Sequence, residues 1–338
     1  MTNKNNKLNY RQNITPITEA STEDHKYIEL AQYNEQALSP IHVVDNSPLL
    51  KNLKLSIATS HEQLSFFEPP NNNPKKLDRG QFIVTDPNID EIKIEPEDEI
   101  ILRGVSNLYE KKIENNDTVF CRISSLIREA YGYQPKAKIR DKEYKDFMNR
   151  LYKLSNVRID IQFTEAGSGI IDNETGHMMN SIRRPIVEFY ELTNNGKRSA
   201  KDYIKFTSKP IMYDYSKHKK YIEHVPKEVL QPPKNVPNNN NYRVIANELY
   251  RRINQYKRSL NNKGVSKYPN KIKYETLFKE CNMSNISPSQ RTRRKATIHT
   301  IMDKFANEDN LIKYYYEYDK NGTTKGRPIG IVFVINDK

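Results

Sequence analysis

The chain has 338 residues, of which 36% are hydrophobic and 29% charged, and a formal net charge of +13. This length suits about two domains of ordinary size, and the composition is too apolar for a wholly disordered chain. No run approaches the roughly 20 apolar residues of a membrane-spanning helix, and the first residues lack the apolar core of a signal peptide. We therefore expect a soluble, cytoplasmic protein with no membrane partner.

Two cysteines, Cys121 and Cys281, are too few for a disulfide framework or a four-thiolate metal site. A reducing compartment fits this count. We expect both to be small buried residues of the core.

Positive charge is concentrated toward the carboxyl end. Residues 1–100 have a net charge of −6 from 10 basic and 16 acidic side chains, whereas residues 240–338 have +11 from 20 and 9. The stretch between them carries +8 from 25 and 17. So uneven a distribution favours a polyanionic partner, and we interpret it as nucleic acid rather than as a surface that only confers solubility.

Residues 1–84 are predicted to form a mostly disordered tail. They lack sustained hydrophobic periodicity, are rich in polar residues and proline, and include the breaker PPNNNPKK at 69–76. One apolar island, QLSFF at 63–67, interrupts this polar stretch.

Residues 85–230 form the first predicted domain. Apolar spacing indicates two helices, and alternation indicates strands after them. The predicted elements are helices at 119–130 and 141–154, strands at 157–163 and 185–192 joined by the long connection 164–184, and a further strand pair at 203–215.

A second breaker, QPPKNVPNNNN at 231–241, is the predicted linker to a second domain at 242–338. Ser287 followed by Pro288 is a typical helix start. The predicted elements are helices at 242–260, 272–281 and 288–307, then strands at 311–318 and 328–335 on either side of the turn signal Asn321-Gly322.

The order helix, short helix, turn, basic helix, hairpin is that of a winged helix, and the first domain repeats it less clearly. The fold class is therefore predicted as α+β, with two tandem winged-helix domains and a largely disordered N-terminal tail. The third helix of the second domain would enter the major groove with its basic N-terminal half. The predicted DNA-binding residues are Ser289, Gln290, Arg291, Thr292, Arg293, Arg294 and Lys295 on that helix, Lys320, Lys325 and Arg327 on the wing, and Arg140, Lys142 and Lys145, with Arg150, in the first domain; for this last set a solvated helix face is an equal alternative.

Catalytic motifs are missing from the sequence. There is no GxxxxGK[ST] phosphate loop, and no His-x-His pair of the kind a rolling-circle nuclease needs. The acidic run Glu97-Asp98-Glu99 reads as a solvated linker face. We expect a protein that is not an enzyme and holds no cofactor and no metal.

Several segments resemble a known family: IANELYRRINQY at 245–256, YPNKIKYETLFKEC at 268–281, the basic helix after it, and GRPIGIVFVI at 326–335. With them the chain, over roughly 100–336, resembles the replication initiators of iteron-type plasmids, especially the TrfA-like group. The insert at 164–184 and the tyrosine run at 314–316 depart from that pattern. The resemblance implies tandem winged helices, homodimerisation through the first domain, binding of origin repeats as a monomer, and recruitment of the host replicative helicase and sliding clamp.

The island Gln63-Leu64-Ser65-Phe66-Phe67 looks like the short peptide by which bacterial replication proteins dock on the sliding clamp, with Phe66 in place of the usual Leu. Three apolar anchors could offset the cost of ordering a flexible segment. The alternative is a local strand that packs back on the first domain.

From these features we predict a plasmid or phage replication initiator that binds double-stranded, repeated origin DNA. One alternative is a winged-helix transcriptional regulator with a separate sensing or dimerisation domain, which a ligand pocket in the first domain would favour. A third is a packaging protein that binds DNA without sequence preference.

Overall fold

In a computed structural model of the protein, the described residues are 14–16, 22, 41–45, 63–65, 80–85, 94–110, 118–163, 170–171, 176–179, 181–193, 198–218, 220–261, 264–266, 268–318 and 327–336. They form a mixed α+β fold of helices and small, mostly antiparallel sheets. In this part of the chain, no helix is long and apolar enough to cross a lipid bilayer.

Four short strands lie in the N-terminal stretch that was predicted to be mostly disordered. They are β1 (Ile14–Pro16), β2 (Ile41–Asp45), β3 (Gln63–Ser65) and β4 (Gly80–Thr85). The residues that connect them lie outside the described part of the chain.

Domain one follows the order helix, strand, helix, helix, strands. Its first elements are α1 (Pro96–Glu110), β5 (Val119–Arg122), α2 (Ile123–Tyr131), α3 (Asp141–Asn156), β6 (Arg158–Phe163), β7 (Ile170–Ile171), β8 (Met178–Met179) and β9 (Ser181–Pro185). It continues with β10 (Phe189–Thr193), β11 (Tyr203–Phe206), α4 (Ile211–His218), β12 (Ile222–Pro226) and α5 (Lys227–Leu230).

The N-terminal strands pair with strands of domain one. The sheets run β3-β4-β6-β9, β1-β10-β11-β5, β12-β2 and β7-β8. All of their pairings are antiparallel except β1 with β10, which is parallel.

The C-terminal elements, which we call domain two, are α6 (Asn240–Arg258), β13 (Lys271–Lys273), α7 (Tyr274–Glu280), α8 (Pro288–Asn307), β14 (Ile312–Tyr318) and β15 (Pro328–Ile335). Helix α6 begins at residue 240, within the predicted linker 231–241. The antiparallel sheet of domain two has the order β13-β15-β14. Gly330 is required where β13 and β15 approach, since a Cβ there would lie 2.5 Å from the carbonyl oxygen of Ile272.

Both domains therefore present a first helix, a short strand, a second helix, a third helix and a strand hairpin, the order of a winged helix. The predicted α+β fold with tandem winged helices is confirmed. In domain one the short strand β5 joins a separate sheet with β11, so the repeat is looser there than in domain two.

One hydrophobic core runs through both domains. In domain two it includes Leu249 of α6, Phe278 of α7, Phe305 of α8 and Phe333 of β15. Both cysteines are buried, as predicted, and neither forms a disulfide bond.

Four predicted elements were wrong in part, and α1 was not predicted. The strand expected at 185–192 is interrupted, because the partner of β6 is β9, most of which lies in the predicted connection 164–184, and β10 begins only at Phe189. The predicted helix at 119–130 starts with β5, because residues 119–122 pair with the distant β11. The strand pair expected at 203–215 is β11 followed by the helix α4. The predicted helix at 272–281 begins only at Tyr274, because the residues before it pair with β15.

The acidic run of residues 97–99 was wrongly interpreted as a solvated linker. It forms the first turn of α1, and Asp98 is fully buried. The carboxylate of Asp98 accepts hydrogen bonds from Arg150 at 3.0 Å, Lys153 at 2.7 Å and the backbone N–H of Glu95 at 2.8 Å. Acidic groups at a helix N-terminus also interact favourably with the helix dipole.

The two domains are joined by a buried polar bridge between α1 and α6. Asn247 donates from Nδ2 to Glu99 at 2.7 Å and accepts from Arg103 at 2.9 Å. Burial lowers the pKa of Arg103 to about 10, and Glu99 opposes this shift. Because buried polar groups are costly to leave unpaired, this bridge fixes how the two first helices pack.

Candidate nucleic-acid interface

Helix α8 is divided along its length into an outward half and a core half. None of its first nine residues, 288–296, is buried. The second half supplies Ile298, Ile301, Met302 and Phe305 to the core. The helix is therefore anchored at its C-terminal end and projects its basic N-terminal half outward.

A capping box starts this helix. Ser287 Oγ accepts from the backbone N–H of Gln290 at 3.3 Å, and Gln290 Oε1 accepts from the backbone N–H of Ser287 at 2.9 Å. Pro288 occupies the first turn, where its missing N–H costs nothing. Gln290 was predicted as a reader of base edges. Its Oε1 instead takes part in the helix cap, which is a structural role.

Arg291 ties α8 to the preceding helix and turn. Its Nη1 lies 2.5 Å from Glu275 Oε1 on α7, and its Nη2 donates to the carbonyl oxygen of Ser284 at 3.0 Å. Of the predicted basic readers on α8, Arg291 is thus the one held by an acidic partner, so any contact with DNA competes with this pair.

The next three basic residues differ in exposure. Arg293 is exposed, whereas Arg294 and Lys295 are half-buried. Burial, and then the charge of Arg293, lowers the pKa of Arg294. The ammonium of Lys295 lies 4.9 Å from the ring centroid of Tyr274, a cation–π contact that holds it against the domain.

Besides Gln290, two polar residues were predicted as readers on this surface, Ser289 and Thr292, and both are exposed. Ser289 Oγ lies 3.1 Å from Ser287 Oγ, and Thr292 Oγ1 donates to the carbonyl oxygen of Pro288 at 3.2 Å. Both hydroxyl oxygens can still accept a hydrogen bond from a base.

An aromatic cluster that the sequence reading missed joins α8 to the wing. The ring of His299 lies 4.9 Å from that of Tyr316 on β14, and its Nε2 is 2.7 Å from the hydroxyl of Tyr274. Tyr314 donates to Asp303 at 2.5 Å. Burial lowers the pKa of His299, with Asp303 opposing the shift, so the imidazole is neutral near neutral pH. In the sequence, the tyrosine run at 314–316 was the feature that could have indicated this cluster.

Of the predicted wing residues, Arg327 is exposed immediately before β15. Lys320 and Lys325 lie outside the described residues. The wing strand itself carries exposed Tyr315 and Tyr318.

The weaker set in domain one lies at the start of α3. Lys142 and Lys145 are exposed on this helix, and Arg140 is its exposed N-cap residue, whose backbone N–H donates to Glu143 at 2.9 Å. Arg150 instead forms ion pairs with Glu95 and Asp98, so it stabilises the packing of α3 against the start of α1 and is not part of an exposed basic face.

An open cleft of about 1090 Å³ lies between α3 and the start of α6. Most of its lining residues are polar. They include basic side chains such as Lys142, acidic ones such as Asp146, and asparagine amides such as Asn240. Small-molecule pockets are predominantly apolar, so this cleft differs from a typical sensing pocket. Among the described residues, no group of three or more potential metal ligands occurs.

The clamp-like peptide is only partly described. Gln63, Leu64 and Ser65 form β3, which pairs with β4 in the register Gln63↔Ile83 to Ser65↔Gln81. Phe66 and Phe67 lie outside the described residues. This pairing corresponds to the alternative of a local strand on domain one, and clamp binding stays a prediction.

Two solved structures are weakly similar to the chain. Both contain domains 2 and 3 of RctB; the selenomethionine derivative has a TM-score of 0.45 at 10% sequence identity, covering 86% of this chain and 98% of its own. The second has a TM-score of 0.43 at 8% identity, covering 86% of this chain and 97% of its own. No model of a protein family matches the sequence, and no curated protein matches it. The winged-helix assignment rests on the order and pairing of this chain's own helices and strands.

Proposed function

We propose that this chain binds duplex DNA in a sequence-specific manner through the outward half of α8, and that it initiates replication at repeated sites in a plasmid or phage origin. The observation that carries the proposal is that residues 288–296, none of which is buried, form one half of a helix whose other half belongs to the core. A helix end that projects from its domain can enter the major groove, where base edges are distinguishable.

Within this surface, Arg293 is the strongest candidate for reading a base, since it is exposed and its fork can meet guanine O6 and N7 together. Ser289 and Thr292 are the polar readers beside it. Lys295 and Arg294, both half-buried, suit phosphate contacts that position the helix without specifying sequence.

Domain one supports the initiator over the transcriptional regulator. It repeats the helix order of domain two, and Arg140, Lys142 and Lys145 lie at the N-terminal end of its own third helix. Two readers joined by the Asn247 bridge suit repeated sites on one duplex. The polar, mixed-charge cleft gives little support to a ligand-sensing domain.

The finer parts of the proposal come from the resemblance to iteron-plasmid initiators. They are recruitment of the sliding clamp through 63–67, recruitment of the replicative helicase, and homodimerisation through domain one. Each is an expectation for this chain.

The test is binding of the full chain to DNA that flanks its own gene, measured by fluorescence anisotropy against a scrambled duplex. We expect Arg293→Ala to weaken cognate binding by about 1–3 kcal/mol and to reduce discrimination at one base position. Lys234→Ala, an exposed lysine in the linker, is the matched control and should leave affinity unchanged. Equal binding of cognate and scrambled duplex by wild type would exclude both the initiator and the regulator, and would leave the packaging protein.

A second measurement separates the initiator from the regulator. Footprinting should reveal several direct repeats for an initiator, and a single operator for a regulator. In a salt titration, the logarithm of the binding constant should fall with the logarithm of the salt concentration, with a slope of roughly −0.9 per phosphate neutralised. Lys295→Ala should reduce the magnitude of this slope by about one.

A further inference from the structure

The outer strand of domain two, β14, has an open edge. It pairs with β15 on one side, and within the described ranges no strand pairs with its other side. An unpaired edge exposes backbone N–H and C=O groups that can add a further strand. Natural edges are usually shortened, bulged or charged. β14 extends over seven residues with a bulge only near its end, at Glu317/Tyr318, and its two charged residues, Lys313 and Glu317, have opposite signs.

The register of β14 shows which backbone groups face this edge. The N–H of Asn336 donates to the carbonyl oxygen of Leu311 at 3.2 Å, beside the paired positions Ile312↔Ile335. Since antiparallel bonding alternates along a strand, the backbone groups of residues 313, 315 and 317 face β15. Those of 314 and 316 face the free edge.

The side chains of β14 are self-complementary about its centre. Because successive side chains of a strand point to opposite faces, one face of β14 carries Lys313, Tyr315 and Glu317. The positive charge thus lies two residues before the tyrosine, and the negative charge two residues after it. Tyr315 is 57% exposed, and Lys313 is exposed. A tyrosine lies on each side of Tyr315 on the other face.

We propose that two copies of this chain associate by antiparallel pairing of β14 with β14, about a two-fold axis that passes through Tyr315. In this register, Lys313 lies opposite Glu317 of the partner subunit, and Glu317 lies opposite the partner's Lys313. Tyr314 lies opposite the partner's Tyr316, at the positions whose backbone groups face the edge. A two-fold interface of this kind uses the same patch on both subunits.

Two further features fit the register. Tyr315 meets its symmetry copy at a non-hydrogen-bonded position, where side chains are closest and aromatic pairs stabilise a sheet. Glu317 accepts from Lys271 at 3.2 Å through Oε1, while its Oε2 has no hydrogen-bond partner in the described part of the chain. Because this oxygen is buried, a lysine from the partner meets it only after the Glu317 side chain turns from Lys271 toward the free edge.

The interface is small, because one strand pair buries far less than the roughly 1,200–2,000 Å² of a standard stable interface. The dimer is therefore weak in free solution and depends on concentration. It requires no DNA, so the proposal stands apart from the proposed function, and it is separate from the homodimerisation expected through domain one.

The test is a charge swap in the full chain, followed by sedimentation velocity over a concentration series. Lys313→Glu and Glu317→Lys should each weaken association by roughly tenfold or more, since each places like charges opposite one another twice. The double variant should restore association to the wild-type level. Circular dichroism and thermal melting identify any variant that does not fold.

A cysteine variant tests the register independently. Tyr315→Cys should form an intersubunit disulfide under mild oxidation, because the two Cβ atoms face each other across the axis. Val334→Cys is the control, since Val334 is 50% exposed on the neighbouring strand but lies too far from the axis to link. Wild type that stays monomeric at every concentration, single swaps without effect, a double swap that fails to restore association, or equal linking of both cysteines would each overturn the proposal.

Discussion

Nη1 of Arg291 lies 2.5 Å from Oε1 of Glu275, so the first arginine of the outward surface is held by the helix that precedes it. Both side chains are substantially exposed, at 36% and 67%. A pair this exposed contributes little to stability, roughly 0–1 kcal/mol. Its main effect is to keep an arginine and a carboxylate together on the surface proposed to meet DNA.

Glu275→Gln should therefore strengthen DNA binding. The substitution removes a negative charge close to the phosphates and releases Arg291, so we expect affinity to rise several-fold while the free energy of unfolding changes by less than about 1 kcal/mol. Anisotropy at two salt concentrations measures the first quantity, and urea unfolding measures the second. Glu308→Gln, at the opposite end of α8, is the control. Weaker binding by Glu275→Gln would mean that the pair orients Arg291 for contact.

Asn247→Leu should destabilise the whole protein. The change leaves Glu99 and Arg103 without their shared partner in a buried site, which we expect to lower the free energy of unfolding by about 2–4 kcal/mol. Urea denaturation checks this value. The exposed Asn149→Ala on α3 should stay within about 0.5 kcal/mol of wild type. A similar result for both variants would show that the bridge contributes nothing.

Asp98→Asn tests the corrected interpretation of the acidic run. The neutral amide would remove the buried countercharge of Lys153 and would leave Arg150 paired with the half-buried Glu95, so we expect a loss of about 3 kcal/mol by denaturant unfolding. Asp146→Asn, on the exposed face of α3, should be nearly neutral. If the two substitutions cost the same, the buried ion pairs are not what stabilises the start of α1.

His42 should make stability depend on pH. It is buried on β2, its Nδ1 lies 3.1 Å from Asn107 Nδ2, and burial, then Arg103 and Lys227, holds its pKa well below the ordinary value. Glu129, which accepts a hydrogen bond from the same Asn107 Nδ2, is an acidic group beside this site.

Because the folded-state pKa is lowered, the unfolded chain binds the proton more readily. The contribution of neutral His42 to the free energy of unfolding is therefore fully present above the ordinary histidine pKa of about 6.5. It decreases as pH falls below that value, by up to about 1.4 kcal/mol per pH unit. Unfolding between pH 7.5 and 5 measures the slope, which His42→Gln should reduce and which substitution of the exposed His177 should not. An unchanged slope in His42→Gln would contradict this assignment.

The elements of domain two were predictable because their signals are local. The Ser287 cap and Pro288 mark the start of α8, and the predicted bounds of α8 and β15 match those observed. Alternation likewise predicted β14 to within one residue. Caps, periodicity and turns are short-range properties that a single sequence contains.

What the sequence could not supply depends on residues that are far apart in the chain. Asp98 looked solvated because its partners Arg150 and Lys153 follow more than fifty positions later. The strand β5 looked helical because its partner β11 lies about eighty residues away. In the candidate site, the basic residues were predicted, but the constraint that Glu275 places on Arg291 was not.

The bridge at Asn247 has a consequence for the length of the DNA site. It joins the first helices of the two domains, so the distance between the outward ends of α3 and α8 is set by the protein. Where both ends contact one duplex, the two contacted stretches must recur on the same side of the double helix, which turns once in about 10 base pairs. Inserting about half a helical turn of DNA between the two stretches would place the second one on the far side of the duplex. Inserting a full turn would return it to the same side, but farther from the first stretch than the two helix ends can reach together.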